Sequence, residues 1–164
     1  MECKLENISV HYVLHGDGRP IVSLHGFWPD HHSMTGCMEP IFKLRDGWKR
    51  IYPDLPGMGK TPSKEWIKSS DQMLDVMVAF IDKIIPNQHF ALAGESYGGY
   101  SARGIVQRRS ELVDGLLLIC PMVIADSTDR TLPPHTILVK NPSVMSSLNP
   151  EEREGFESIA VVQS

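Results

Sequence analysis

The stretch HFALAGESYGGYSARG, His89–Gly104, decides the fold. An apolar run leads into a serine flanked two positions away by Gly94 and Gly98, and a helical pattern follows. A sharp strand-to-helix turn of this kind lifts its middle side chain above the sheet edge, where bulky neighbours would clash. The new helix also directs free N–H groups and its positive dipole end at that point. The stretch therefore predicts a nucleophile position at Ser96.

Composition is typical of an ordinary globular protein. The chain has 164 residues, of which 41% are hydrophobic and 22% charged, and this suits one domain of moderate size. The net charge of −4 argues against a nucleic-acid partner, because phosphate binding needs clustered Lys and Arg. The longest apolar run, Gly115 to Ala125, is broken by Pro121 and is much shorter than the roughly 20 apolar residues of a membrane span. No membrane partner is expected.

The cysteines point to a reducing compartment. Cys3, Cys37 and Cys120 are an odd number, lie far apart and form no CxxC pair. Such spacing is neither a disulfide framework nor a zinc pattern. We therefore expect free thiols and a cytoplasmic location, with no signal peptide in the first ten residues.

Strands and helices alternate from about Pro20 to Cys120. The spacing predicts helices over residues 31–44, 69–85 (capped by Ser70) and 97–110, and a buried strand in VDGLLLIC. This alternation predicts an α/β fold, a mostly parallel twisted sheet with helices on both faces. Residues 126–148 read as a connection that leaves the sheet, and a further helix is predicted to begin after the cap Asn149.

Three motifs follow one another at strand ends: HGFWPD, DLPGMGKT and GESYGG. Their order and spacing, over about Ile8 to Cys120, resemble the α/β-hydrolase fold superfamily in its cap-bearing esterase, peptidase and C–C hydrolase group. The resemblance implies a hydrolase core holding the first six or so strands and incomplete at the C-terminus. Residues 1–122 would be the N-terminal part of that core, and 123–164 the start of a helical cap.

The resemblance also implies a serine hydrolase acting on a carboxylic ester or related acyl substrate. Ser96 would be the nucleophile, and the backbone N–H groups of Phe27 and Tyr97 would form the oxyanion hole. Gly26, Gly94 and Gly98 would be the loop and elbow glycines. With Phe27, Tyr97 and Trp28 near the serine, we expect a small-molecule substrate with an apolar acyl or aromatic group, and no cofactor.

A serine nucleophile needs a base and an acid, which follow it in the order acid, then histidine, in this fold. His135 is the one histidine after Ser96, and Asp126 precedes it. No further strand–helix unit separates the elbow region from His135, although the family's histidine follows the last strand. The base and acid are therefore expected in a C-terminal half of the same protein. The alternative is a catalytically inactive remnant or a partner-binding fragment.

Other patterns have weaker readings. GMGKT lacks the first glycine of a phosphate-binding loop, because Asp54 stands there. Adjacent histidines rarely converge on one ion, so Asp30-His31-His32 predicts a helix cap at Asp30 and no metal site. GESY also resembles the elbow of serine carboxypeptidases, which are longer, secreted and disulfide-bonded. Within the hydrolase group, His25 would hold the loop backbone, and Glu95 would be a partly buried carboxylate bonded to the neighbouring loop.

Overall fold

A computed structural model describes residues 1–131 and 141–154. Six strands form one sheet in the order β1-β2-β4-β3-β5-β6. The strands are β1 (Glu2–Lys4), β2 (Ser9–His15), β3 (Arg19–Leu24), β4 (Trp48–Pro53), β5 (Phe90–Glu95) and β6 (Val113–Ile119). The main helices are α1 (His31–Phe42), α2 (Ser70–Ile84) and α3 (Tyr97–Arg108).

The sheet is mostly parallel, as the alternation of strands and helices predicts. Strands β4, β3, β5 and β6 run parallel, while β1 and β2 are antiparallel additions at one edge. A helix connects each two consecutive parallel strands along the chain, as parallel connections require. The predicted fold class is confirmed. The short strand β1 has no signal of its own in the sequence, since three residues cannot display an alternating pattern.

Apolar clusters cover both faces of the sheet. The smaller cluster joins α1 to the strands through Met34, Met38 and Tyr52. The larger cluster joins α2 and α3 to the other face and includes Met77 and Phe80. At about 25 cal/mol per Å² of buried apolar surface, these side chains supply the main driving force for forming the layers. The carboxyl ends of the parallel strands are thereby held at one common edge.

Helix α2 shows both the accuracy and the limits of the helix prediction. Its buried face includes Met73, Met77 and Ile81, as the 3.6-residue spacing predicts. The N-cap, however, is Ser69 and not Ser70, which is the first helical residue. The Ser69 hydroxyl accepts the Gln72 N–H at 3.3 Å. Either serine satisfies the capping preference, so the sequence alone selects neither.

Helix α1 is fixed at both ends. The Asp30 side chain accepts the His32 N–H at 2.9 Å, which confirms the predicted cap. Near the other end, Glu39 accepts hydrogen bonds from Arg50 (2.8 Å) and the Tyr52 hydroxyl (2.6 Å) of β4. Burial alone would raise the pKa of Glu39, but these bonds outweigh it and lower that pKa to about 2. An ionised carboxylate therefore ties α1 to the sheet.

Strand β6 forms as predicted but is not buried. It pairs with β5 on one side and is the last strand of the sheet among the described residues. Successive side chains of a strand point to opposite faces. Leu116 is 40% exposed and Leu117 45% exposed, so the strand shows apolar surface on both faces. The prediction of burial was wrong. A continuous apolar run indicates that a strand has apolar side chains on both faces, but burial also requires neighbours that cover them, and β6 has one strand neighbour among the described residues.

The chain divides into two compact units, Met1–Val123 and Ile124–Ser164. In the described part of the second unit, a 3-10 turn spans Ser127–Asp129 and helix α4 spans Pro142–Ser147. A helical turn at residues 150–154 follows the predicted cap, since Asn149 and Glu152 exchange hydrogen bonds of 2.8 and 2.9 Å. Helix α4 therefore lies within residues 126–148, where the sequence predicted a connection and no helix. No helix in the described ranges is long and apolar enough to cross a membrane.

Strand β6 has no strand neighbour on its outer side among the residues that the structure describes, and this edge predicts association of the 164-residue chain. An unpaired apolar strand is a template for pairing with another strand. We expect Leu117→Lys to shift the chain toward monomer in size-exclusion chromatography with light scattering. Leu44→Lys is the matched control, because Leu44 is 96% exposed in the turn after α1. An equal shift in both variants, or in neither, would contradict a role for this edge.

Candidate active site

The chain turns sharply at Ser96, between the end of β5 and the start of α3. Ser96 has φ 50° and ψ −114°, a backbone conformation that L-residues rarely adopt. Its N–H donates to the Ile119 carbonyl, and its own carbonyl accepts the Met122 N–H, both at 3.0 Å. Hydrogen bonds to the end of β6 and the residues beyond it therefore hold the strained turn in place.

The two flanking glycines leave the space that this turn needs. A Cβ at Gly94 would lie 2.5 Å from the Gly98 carbonyl oxygen. A Cβ at Gly98 would lie 2.2 Å from the carbonyl oxygen of Leu24, the last residue of β3. Both obstacles are backbone atoms, which cannot swing aside. The glycines therefore allow α3 to begin directly against the ends of β5 and β3.

The Ser96 hydroxyl makes no hydrogen bond to the described residues. Ser96 is the N-cap of α3, yet its side chain does not cap the helix. Six of the seven histidines lie in the described ranges. Each of them is hydrogen-bonded or ion-paired to a group other than Ser96: His11 and His31 to Asp54, His15 to Glu39, His25 to Gly26 and Leu55, His32 to Asp30, and His89 to Asp114. Within this part of the chain, no base contacts the serine.

The loop after β3 lies beside the elbow. The rings of Phe27 and Tyr97 are 6.0 Å apart, and those of Phe27 and Trp28 are 5.4 Å apart. No acceptor for the Phe27 N–H is found among the described residues. Tyr97 is the first residue of α3, where a helix leaves its N–H groups without intrahelical partners. Phe27 is 54% and Trp28 86% exposed, so the aromatic side chains border the serine as open apolar surface.

His25 is a structural residue of this loop. The Leu55 N–H donates to its Nε2 at 2.9 Å, which places the ring proton on Nδ1, and Nδ1 lies 2.7 Å from the Gly26 carbonyl oxygen. The side chain is fully buried. Burial lowers the pKa of His25, against the opposing effect of the Gly26 bond. A neutral ring with both nitrogens engaged cannot act as a base.

Glu95 connects the elbow to the same loop. Its Oε2 accepts the Gly26 N–H at 2.8 Å. The expected bond between this partly buried carboxylate and the neighbouring loop is confirmed. A Cβ at Gly26 would lie 2.7 Å from that Oε2 atom, so a larger residue would force the carboxylate away. Glycine at this position makes the contact sterically possible.

Asp54 is the fully buried centre of a second network at this edge. Its Oδ1 accepts the His31 N–H and lies 2.7 Å from His31 Nδ1. Its Oδ2 accepts the Lys60 N–H and lies 2.9 Å from His11 Nδ1, both distances being 2.9 Å. Burial by itself would raise the pKa of Asp54, but the hydrogen bonds from Lys60 and His31 outweigh it and lower that pKa. An ionised carboxylate thus joins β2, the start of α1 and the loop after β4.

Within residues 1–131 and 141–154, two side-chain groups bring enough ligand atoms together to be considered as metal sites. They are Asp30-His31-His32, singled out in the sequence, and His11-His31-Asp54, which the sequence analysis missed. Four N–H groups already occupy the two oxygens of Asp54. Since an ionised carboxylate offers about four lone-pair sites, its acceptor capacity is filled. Hydrogen bonding therefore explains why His11, His31 and Asp54 lie together. The sequence analysis missed this group because His11 and Asp54 are 43 residues apart in the sequence.

The two weaker candidates for acid and base belong to the second unit. Asp126 accepts hydrogen bonds from the Thr128 N–H (2.9 Å) and hydroxyl (2.7 Å), and these bonds lower its pKa. It initiates the 3-10 turn Ser127–Asp129. His135 lies outside the described residues. The predicted pairing of Asp126 with His135 therefore stays a prediction.

A cavity of about 400 Å³ opens between α2 and α3. It is lined by Ser70, Asp71, Leu74, Tyr100, Ser101, Arg103, Gly104, Gln107 and Val123. The Tyr97 hydroxyl donates to Ser70 Oγ at 3.2 Å, so one lining residue contacts the residue after the serine. Ser96 itself does not line this space. The cavity is therefore a neighbour of the candidate nucleophile and does not surround it.

The strain at Ser96 predicts an inverted order of two substitutions. Glycine adopts positive φ freely, whereas alanine shares the strain of serine. We expect Ser96→Gly to be more stable than Ser96→Ala by about 1 kcal/mol in urea unfolding. At Ser33, an exposed position within α1, the matched pair should show the opposite order. Ser96→Ala equal to or more stable than Ser96→Gly would show that the turn is unstrained.

The network at Asp54 predicts a large loss on Asp54→Asn. The amide NH₂ would face N–H donors in a buried site, so we expect a loss of about 3 kcal/mol in the free energy of unfolding. The wild type should also lose stability as pH falls through the lowered pKa of Asp54, and the variant should lose less. Urea unfolding at several pH values measures both effects. Exposed Asp46→Asn is the control, and equal behaviour of the two variants would contradict the prediction.

Comparison with known proteins identifies the family to which this sequence and fold belong. The sequence matches the Alpha/beta hydrolase family over residues 21–158. It is 32% identical over 122 residues to a pimeloyl-[acyl-carrier protein] methyl ester esterase of Legionella pneumophila, covering 73% of this chain and 46% of the esterase. It is 26% identical over 112 residues to a 2-hydroxy-6-oxo-6-(2'-aminophenyl)hexa-2,4-dienoic acid hydrolase of Metapseudomonas resinovorans, covering 68% and 39%.

A solved structure gives the same result. An alpha/beta superfamily hydrolase from Oenococcus oeni superimposes with a TM-score of 0.74 at 33% identity, over 98% of this chain and 57% of that one. The chain spans about half the length of the relatives it matches. The relatives named here are hydrolases, and the matched region contains β5, the turn at Ser96 and α3. The chain belongs to the alpha/beta hydrolase family.

Proposed function

We propose that this chain carries the nucleophile and oxyanion hole of a serine hydrolase that acts on carboxylic esters or related acyl substrates. The observation that carries the proposal is the turn at Ser96. Its backbone conformation is strained, its hydroxyl forms no hydrogen bond with a described residue, and it stands at the N-terminus of α3. Strain of this kind persists where a structure over-determines it, which is common at reactive sites.

In the proposed reaction, Ser96 Oγ attacks the substrate carbonyl carbon and a base takes its proton. The carbonyl oxygen becomes an oxyanion, which the N–H groups of Phe27 and Tyr97 would stabilise together with the dipole of α3. When the tetrahedral species collapses, the base returns its proton to the leaving oxygen, the alcohol departs and an acyl-Ser96 ester remains. A water molecule, deprotonated by the same base, then releases the acid.

The base is proposed to come from outside the described residues. All described histidines bond to other groups, and His25 has neither nitrogen free. The remaining sources are His135 with Asp126, or a C-terminal half of the same protein. The second source agrees with the share of the relatives' length that the chain spans.

The aromatic residues around Ser96 support an apolar acyl or aromatic substrate. Phe27, Trp28, Tyr97 and Tyr100 form a continuous series of ring contacts of 5.4 to 6.1 Å. Phe27 and Trp28 are exposed, Tyr97 and Tyr100 are half-buried, and aromatic surface of this kind favours apolar groups over charged ones. The esterase and dienoic acid hydrolase among the relatives act on carbonyl compounds by name, which agrees with acyl chemistry.

The free thiols of Cys37 and Cys120 support a cytoplasmic location.

A fluorophosphonate probe tests the nucleophile. We expect intact-mass and peptide analysis to find one adduct, on Ser96, because activated serine attacks the phosphorus centre. Ser96→Ala should remove the adduct, while Ser110→Ala, at an exposed serine after α3, should keep it. His135→Ala, and reconstitution with the C-terminal half, identify the source of the base. Undiminished labelling of Ser96→Ala would refute the assignment.

A second candidate function is partner binding without turnover. The observation that favours it is the exposed apolar edge of β6. Hydrolysis of p-nitrophenyl acetate by the 164-residue chain separates the two functions. Turnover that Ser96→Ala abolishes would refute the binding-only function. Absent turnover, combined with a stable complex that Leu117→Lys disrupts, would support it.

A further inference from the structure

We infer that Glu95 is a positioning residue, whose carboxylate holds the loop after β3 so that the Phe27 N–H faces the oxyanion formed at Ser96. The inference rests on the proposed function and assigns a role to a residue that the chemistry itself does not use. Glu95 directly precedes Ser96, so its hydrogen bond to Gly26 fixes the loop after β3 relative to the proposed nucleophile.

The direction of the Phe27 N–H follows from the contacts of Gly26. The peptide between Gly26 and Phe27 contains the Gly26 carbonyl and the Phe27 N–H, which point in opposite directions in a trans peptide. The structure has no cis peptide among its described residues. His25 Nδ1 lies 2.7 Å from the Gly26 carbonyl oxygen, and Glu95 accepts the Gly26 N–H at 2.8 Å. With both polar groups of Gly26 held, the Phe27 N–H points to the side away from His25.

The same contacts decide which loop donor is free. The Gly26 N–H is already bonded to Glu95. It is thus unavailable to a substrate oxygen, whereas the Phe27 N–H has no acceptor among the described residues. Glu95 therefore selects one of two consecutive N–H groups for the oxyanion.

Electrostatics separates a positioning role from a direct one. A carboxylate near a developing oxyanion repels it, so the charge of Glu95 opposes the reaction while its hydrogen bond supports the geometry. Glutamine keeps an acceptor oxygen at the same distance and has no charge. Alanine removes the acceptor, and aspartate withdraws it by one methylene. The three variants therefore give different results for positioning and for charge.

The experiment measures acylation of Ser96 by p-nitrophenyl acetate, under single turnover if turnover is slow. It uses the 164-residue chain and, where that chain alone does not react, the chain reconstituted with the C-terminal half. We expect Glu95→Ala to lower kcat about tenfold to a hundredfold with little change in KM, since a misplaced donor acts on the transition state. Glu95→Asp should resemble it, and Glu95→Gln should restore the rate. Glu111→Ala, at an exposed site after α3, controls for general effects of removing a carboxylate.

A second measurement does not depend on activity. In ¹⁵N-labelled chain, the Gly26 amide proton should move upfield in Glu95→Ala, because a bond to a carboxylate deshields it, and Glu95→Gln should give an intermediate shift. Gly26→Ala should destabilise the wild type more than it destabilises Glu95→Ala, since the three atoms nearest the added Cβ all belong to the Glu95 carboxylate. An unchanged Gly26 resonance would overturn the contact and with it the inference.

The outcomes distinguish the inference from the function beneath it. A reactive wild type whose rate Glu95→Ala leaves unchanged overturns the positioning role and leaves the proposed function intact. A Glu95→Gln variant as slow as Glu95→Ala shows that the charge itself is required and also overturns the role. A wild type that neither turns over nor reacts with the fluorophosphonate, both alone and after reconstitution with the C-terminal half, refutes the proposed function, whatever the Gly26 resonance shows.

Discussion

The Asp54 carboxylate, with four N–H groups on two oxygens, is the interaction on which the carboxyl edge of the sheet depends. A buried charge is tolerable only when it is fully hydrogen-bonded, and here the donors come from β2, the start of α1 and the loop after β4. A series of hydrogen bonds then connects Leu55, the residue after Asp54, to Glu95, the residue before Ser96. The Leu55 N–H bonds to His25, His25 bonds to Gly26, and Gly26 bonds to Glu95. Each loop that borders the candidate site is therefore fixed by the next.

This arrangement explains why a site can be built on loops without being loose. The strands set the spacing of the loop ends, and the buried polar groups set the direction of the loop backbone. Each buried group in the series leaves a donor or acceptor unsatisfied if its neighbour moves, and that costs about 1–3 kcal/mol per group. The exposed aromatic rings add apolar surface to a frame that is already rigid. The exposed apolar surface and the fixed loop backbone at the candidate site thus come from different side chains.

The sequence predicts the parts whose signals are local. Glycines on both sides of Ser96, a capping aspartate before α1 and the apolar spacing of α2 each act within a few residues, and each is found in the structure. The bond from His11 to Asp54 spans 43 residues, and neither residue type suggests it. The exposure of β6 could not be deduced from its apolar run either, because burial depends on which strands are available beside it. Contacts between distant residues needed the folded chain.

The hydrogen bonds that hold the turn at Ser96 also determine when it can form during synthesis. Its backbone partners are Ile119, Tyr100 and Met122, and the carbonyl oxygen that packs against Gly98 belongs to Leu24. Every one of these residues has been translated by position 122. The turn at Ser96 can therefore fold during translation, while later residues of the chain are still being synthesised. The residues made later would then fold against a turn at Ser96 that is already formed.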